Sequence, residues 1–308
     1  MRVVVLGAAA GGGVPQWNCN CDVCRTARGP DPELQATQAS ITVSADNEHW
    51  FLVNASPDLR QQLIATPPLH PKAGHLRHSP IAGVILTNGE VDAVAGLLSM
   101  REGWPFTIYA HQRVLSILKS NSIFNVLDEK RVRREPIELG TAFEPKLSDG
   151  SPSGLEILPF AAPGKRAWYL EGTAQSDGDD EPGDTLGLRI ADKASGEHLY
   201  FLAACAALTP DLRQRLQGAP LIFFDGTLWR DDELIAAGLG AKTGQRMGHM
   251  AMSGENGAIA AFAGLGIAQK IFLHINNSNP VLLPGSVERE AVERAGWQIP
   301  SDGTEITI

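Results

Sequence analysis

Residues 85–98 read ILTNGEVDAVAGLL. The first four close a short apolar run, AGVILTN from Ala82 to Asn88, with the length and composition of a buried strand. Apolar residues from Val91 to Arg101 recur at helical spacing, so the spacing predicts a helix there. Between the two elements Asn88, Glu90 and Asp92 stand at alternate positions. Three oxygen-bearing side chains are thereby set at the end of a strand, the place where sites form on α/β sheets. Taken alone the stretch has a plainer reading: solvated acids before a helix, with Asp92 stabilised by the helix dipole.

Other strand ends carry the same kind of residue. LIFFDGTLWRDDEL ends an apolar run at Asp225 and continues with glycine. KTGQRMGHMAMSGENG places His249 in a glycine-flanked loop ahead of a helix, and KIFLHINNSNP ends an apolar run at His274, followed by Asn276, Asn277 and Asn279. One strand-end histidine is ordinarily just hydrogen-bonded. Acids and histidines at the ends of three separate apolar strands predict a shared polar or metal site, because strand ends on one edge converge. LVNASPDLRQQL adds Asn54, Ser56 and Asp58 at another strand-to-helix junction, where Asp58 either supports the helix start or acts in the site. His70, His75 and His78 fall among prolines and a glycine and read as a surface loop.

Strands and helices interleave along the rest of the chain. Val3–Leu6 reads as a first strand and Ser40–Ser56 as a hairpin turning at Asp46–Asn47. FTIYA followed by HQRVLSILKS repeats strand then helix, and GLEILPF, RAWYLEG, TLGLRIA and EHLYFLA form a further group of strands. Helices are expected near 211–216, at DDELIAAG (231–238), near 254–262 and at 287–294, with a short strand at the C-terminus. The acidic stretch QSDGDDEPGD, 175–184, reads as a mobile loop, with a calcium site the lesser reading. No linker divides the sequence, and the pattern predicts an α/β architecture of two mixed sheets packed face to face with helices outside, built as one domain over residues 1–308.

The 308 residues are 43% apolar and 20% charged, enough to bury a large core, and the net charge is -9. That acidity argues against nucleic-acid binding, which needs a basic face. No window approaches the roughly 20 apolar residues of a membrane span, and the early apolar run is too short for a signal peptide; the expected location is cytoplasmic. Thiols in that compartment stay reduced, which bears on WNCNCDVC. Cys19, Cys21 and Cys24 fall within six positions of a chain with four cysteines. Thiolates spaced C-x-C-x-x-C in a polar loop converge on one zinc ion, which takes four ligands in structural sites. Cys205 follows an apolar strand and reads as a core residue. The glycine run GAAAGGG is a poor phosphate loop, because proline and cysteines follow where a helix should start.

The frame of a strand, then T-[H]-x-[H]-x-D-[H], then a helix resembles the metallo-β-lactamase superfamily, with Asn88, Glu90 and Ala93 where its histidines stand and Asp92 where its aspartate stands. GAAAGGGVPQWNCNCDVC, NASPDLRQQL, LTNGEVDAVAGLLSMREG, DGTLWRDDE, TGQRMGH and HINNSNPVL, in this order along the chain, more closely resemble the coenzyme PQQ synthesis protein B family. The resemblance implies a metallo-β-lactamase-like αββα four-layer sandwich acting in the making of pyrroloquinoline quinone, a cofactor built from a glutamate and a tyrosine of a precursor peptide. It implies either metal-dependent oxygenation of the tyrosine ring in a Glu-Tyr-derived precursor, with iron as the metal, or a non-catalytic carrier role in moving PQQ or its precursor towards the periplasm. Other PQQ-pathway proteins would be the partners. On this reading Glu90, Asp92, Asp225 and His274 are the active-site metal ligands, Asn88 is a weak neutral candidate, and His249 is a ligand or proton-transfer group. Asp58 stands with Asp92 and His249 among the catalytic candidates. Ala93 is a departure, since alanine cannot ligate. The phosphodiesterases of phosphonate breakdown carry a similar cysteine loop, completed by a histidine three residues after the last active-site histidine. By that frame the fourth zinc ligand falls on Asn277, with His274 or water as competitors.

Overall fold

The computed structural model describes residues 1–30, 34–171 and 181–308. The first sheet contains β1 (Arg2–Gly7), β2 (Ser40–Ser44), β3 (Trp50–Val53), β4 (Ile81–Ile85), β5 (Phe106–His111) and β6 (Val132–Ile137). The second contains β7 (Leu155–Ala161), β8 (Leu186–Asp192), β9 (His198–Leu202), β10 (Leu221–Asp225), β11 (Gln269–Leu273) and β12 (Trp297–Gln298). The chain then returns to the first sheet as β13 (Glu305–Thr307), giving the orders β13-β1-β2-β3-β4-β5-β6 and β12-β11-β10-β9-β8-β7. Each sheet is mixed: β3 to β6 run parallel in one and β9 to β12 in the other, with antiparallel strands completing both.

Strands buried on both faces need apolar residues at every position, which is why these runs do not alternate. Val3, Val5, Ile41, Val43, Phe51 and Val53 of the first sheet pack between the sheets with Leu188, Ile190, Phe201, Phe223 and Ile271 of the second. Their neighbours Val4, Leu6, Leu52 and Val84 turn outward into a second cluster. Helices α2 (Leu59–Ala65), α3 (Val91–Val94) and α4 (Gln112–Ser120), which follow the short α1 (Asp22–Ala27) of the cysteine loop, cover that face with Leu59, Val94, Val114 and Leu118. On the opposite face Leu202, Phe224 and Phe272 meet α5 (Pro210–Leu216), α8 (Ala258–Ala261) and α9 (Val287–Arg294) through Leu212, Phe262 and Val292. The two small helices α6 (Glu233–Ala236) and α7 (Gly244–Met247) lie in the loops beyond β10. This is the expected order of helices, sheet, sheet, helices.

Several local expectations change. In RAWYLEG the described residues 166–171 form no strand: Trp168–Leu170 is one turn of 3-10 helix. The helix after Asp92 holds α geometry only to Val94, and Ala95–Met100 continues as 3-10. There Gly96 lies against the backbone of Ala55 and Ser56, where an added Cβ would meet Ser56 O at 2.1 Å. β6, reading VRREPI, escapes a pattern search because it is an edge strand with outward charges and a proline, which an edge tolerates. Of the acidic stretch 175–184, residues 175–180 lie outside the described residues. Among the described residues no helix is long and apolar enough to cross a membrane.

Candidate metal centre

The parallel strands end on one edge, and there the expected residues gather. Asp225, the last residue of β10, is fully buried. Its Oδ2 accepts from the Cys205 amide at 2.9 Å and faces His249 Nδ1 at 2.7 Å, while Oδ1 accepts from the Thr227 amide at 3.0 Å and its hydroxyl at 2.7 Å. So many donors fix the carboxylate. His274 follows β11 with a backbone φ of 59°, the left-handed region that few non-glycine residues enter. That turn throws the ring back over the sheet edge, and it stacks on His249 at 5.1 Å between centroids.

One ligand atom each from Asp225, His249 and His274 lies within 4.8 Å of the others. Asp92 joins from the first sheet, its Oδ2 2.9 Å from His274 Nε2. Burial opposes the charge on both partners of this pair, yet each outweighs it for the other: His274 is raised above the usual histidine pKa and Asp92 held below the usual carboxylate range. Thr227, which the sequence reading did not single out, sits at the centre: its Oγ1 is 2.8 Å from His274 Nδ1 and 3.1 Å from His249 Nδ1. The only sequence signal for it is its place two residues beyond a strand-end aspartate.

A cleft of about 600 Å³ opens over this cluster, lined among others by Asn88, Glu90, Asp92, Thr227, His249 and His274. Glu90 stands at its wall, where Oε1 accepts from the Trp168 amide at 2.9 Å. Burial, reinforced by Asp92, pushes its pKa up to about 7. Asn88 turns its side-chain oxygen to the Glu90 amide at 3.0 Å. Asp58 stands one residue back from the cleft: its Oδ2 accepts from the amide and the side chain of Gln38, and Gln38, a lining residue, accepts from Gly12. Ala93 is buried with the outer core. The Cys205 thiol, buried and pushed up to about 12, remains protonated and bonds the Ala207 carbonyl.

The donors around Asp225 fit a metal. Two imidazoles and neighbouring carboxylates, with no thiolate among them, suit a first-row metal that keeps open positions. The second cluster is separate. The sulfurs of Cys19, Cys21 and Cys24 lie within 4.8 Å of one another. Asn277, buried, brings its side-chain amide 3.3 Å from Cys24 Sγ and 3.7 Å from Cys21 Sγ. A flip of that amide presents its oxygen instead, since nitrogen and oxygen occupy equivalent places. His274 is otherwise engaged through both ring nitrogens, so of the expected fourth ligands Asn277 is the side chain at the cysteines. Burial pushes the Cys21 thiol up to about 11. At Cys19 burial acts the same way but is outweighed by hydrogen bonds from Cys21, Cys24 and Asn277, which lower its pKa.

Two layered sheets with acid and histidine side chains gathered where their strands end define a metallo-β-lactamase fold, and a model of the beta-lactamase superfamily domain matches residues 49–275. The chain is 71% identical over its full length, and that of the relative, to coenzyme PQQ synthesis protein B of Rhodopseudomonas palustris strain BisB5, and 68% identical, again over both full lengths, to that of Bradyrhizobium diazoefficiens. The crystal structure of Zn(2+)-bound PqqB from Methylobacterium extorquens superposes with a TM-score of 0.93 at 47% identity, covering both chains completely. The chain belongs to the coenzyme PQQ synthesis protein B family. A diphosphatase of the PhnP family, with a TM-score of 0.68 at 18% identity over all of this chain and 97% of the other, shares the fold.

Proposed function

We propose that this protein of PQQ biosynthesis carries out metal-dependent oxygenation of the tyrosine ring in a Glu-Tyr-derived precursor. The observation that carries the reading is the Asp225–His249–His274 cluster with Asp92 beside it, open to a cleft of about 600 Å³. Asp225, His274 and Asp92 would hold the metal, with His249 completing the set where Ala93 offers nothing. A redox-active metal such as iron, when bound, supplies the activation of dioxygen that a closed-shell ion cannot. The chain's own groups do the rest. Thr227 orients both imidazoles through its hydroxyl. Glu90, with a pKa near 7, can take the phenolic proton of a bound ring and return it near neutral pH. Asp58 acts through Gln38 as a positioning residue at the cleft wall.

The relative crystallised with zinc supports a structural zinc here on Cys19, Cys21 and Cys24, with Asn277 as the fourth side chain. That ion would tie the N-terminal loop to the segment that carries His274, three residues before Asn277. We place the protein in the cytoplasm and treat residues 1–308 as one domain.

The carrier reading is favoured by one observation: position 93, where the superfamily frame has histidine, holds a buried alanine. Protein reconstituted with Fe(II) without oxygen and then exposed to air with a Glu-Tyr-derived peptide and a two-electron reductant such as ascorbate, which takes the second oxygen atom to water, separates the two. Oxygen uptake with gain of an oxygen atom on the tyrosine ring supports the oxygenase; tight PQQ binding with no uptake supports the carrier.

A further inference from the structure

Two lysines line the cleft, Lys165 from the connection between β7 and β8 and Lys242 from the loop beyond β10. Their ammonium groups share one carboxylate: Lys165 Nζ is 3.2 Å from Glu171 Oε1 and Lys242 Nζ is 3.2 Å from Oε2. The segment carrying Lys165 is tied down. The Thr185 hydroxyl donates to the Lys165 carbonyl at 3.1 Å, the Trp168 amide to Glu90, and the Tyr169 hydroxyl to the Gly89 carbonyl at 2.7 Å. The Lys165 stem crosses Gly248 so closely that a Cβ there would meet its Cγ at 3.1 Å, and the next residue is His249. The Lys165 stem therefore runs beside the loop that carries His249, and the backbone from which it springs is tied down independently of Glu171.

Glu171 itself is loosely placed. Its side chain is 45% exposed, and exposed ion pairs of long side chains hold weakly. A few residues on, Asp184 shows the opposite arrangement: it is 5% exposed and takes a two-point contact from Arg113 at 2.8 and 3.0 Å, with Arg166 at 3.8 Å. Asp184 is a structural acid. Glu171 is an exposed acid that bridges two cations facing a cleft.

We propose that Lys165 and Lys242 form a carboxylate-binding subsite at the cleft mouth, and that Glu171 is a placeholder which a ligand carboxylate displaces. The ligand class is a small molecule that carries a carboxylate together with an aromatic ring. The carboxylate takes the lysines, while Trp168, which also lines the cleft and is 59% exposed, offers a face to the ring. The assignment deepens the reading of a Glu-Tyr-derived substrate and rests on it for the identity of that substrate, though not for the subsite.

The test is calorimetric titration of the full-length, zinc-loaded protein with benzene-1,3,5-tricarboxylate, for wild type, Lys242→Met, the Lys165→Met/Lys242→Met pair, and Glu171→Gln. Lys242 is exposed, so its single variant keeps the fold. The expected result is binding to wild type, a loss of about 3–10-fold for Lys242→Met and more than 10-fold for the pair, and a gain of several-fold for Glu171→Gln with a steeper fall in salt. No binding to wild type, equal affinity in Lys242→Met, or no gain in Glu171→Gln overturns the subsite. Absence of oxygen uptake with intact lysine dependence would remove the oxygenase reading and leave the subsite standing; turnover without lysine dependence would do the reverse.

Discussion

His274 and Asp92, 182 positions apart, meet at 2.9 Å between Nε2 and Oδ2. The contact joins the end of β11 in one sheet to the start of α3 beyond β4 in the other. Each partner favours the charged form of the other, so a metal, which needs the neutral imidazole, competes with a proton for His274, and loading is favoured as pH rises.

Thr227 touches both histidines and Asp225 but is not itself expected to ligate. Thr227→Val removes the hydroxyl and keeps the shape. A loss of about 10–100-fold in affinity for the second metal is expected with the fold intact, as for other groups that orient ligands. Metal titration alongside thermal unfolding checks it; unchanged affinity would show that the hydroxyl does not orient the rings.

Asp225→Ala is expected to be both metal-poor and unstable. The carboxylate is buried and accepts from the amides of Cys205 and Thr227. Each orphaned amide costs about 1–3 kcal/mol, and denaturant unfolding reads the sum.

At the cysteine cluster, Cys24→Ala should release one zinc and lower the melting temperature while the second metal is retained. Asn277→His should hold zinc against a chelator longer than wild type, because imidazole is the better ligand. Elemental analysis after dialysis against chelator decides both; loss of both metals from Cys24→Ala would mean the sites are not independent.

The β2–β3 hairpin offers a pH test remote from any metal. Burial opposes the charge of Asp46, but the His49 ring and the amides of His49 and Glu48 bond it and lower its pKa to about 2. The folded pKa lies below the unfolded one, so its stabilisation is present above about pH 4 and is lost as pH falls towards 2. Asp46→Ala should remove that part of the acid dependence and cost about 0.5–1.5 kcal/mol at pH 7. Parallel acid titrations of stability for the two proteins would refute it.

Most of the architecture was legible because strands buried on both faces must be apolar throughout, and because acids and histidines placed directly after such strands have only one edge to occupy. Asp225 and His274 were singled out that way, and Asp92 and Glu90 through the ILTNGEVDAV frame. Thr227, Lys165 and Lys242 were not: a threonine that bridges two rings and a lysine laid along a loop owe their roles to contacts from distant segments. The Trp168–Leu170 turn was misread because an aromatic and β-prone run carries no mark of the Glu90 and Gly89 contacts that fold it. Asp58 was named at the right junction, but only the structure shows that Gln38 stands between it and the cleft.

The most direct measurement is metal content together with oxygen uptake, on protein purified without oxygen, for wild type and Asp92→Ala/His274→Ala. Removing both partners leaves no unpaired buried charge, so the variant keeps its fold. One zinc plus a second metal in wild type, with oxygen consumed on a Glu-Tyr-derived substrate and only the second metal and the uptake lost in the variant, is the predicted result. A single zinc in both proteins, with no uptake in either, would contradict the oxygenase and leave a carrier with one structural metal.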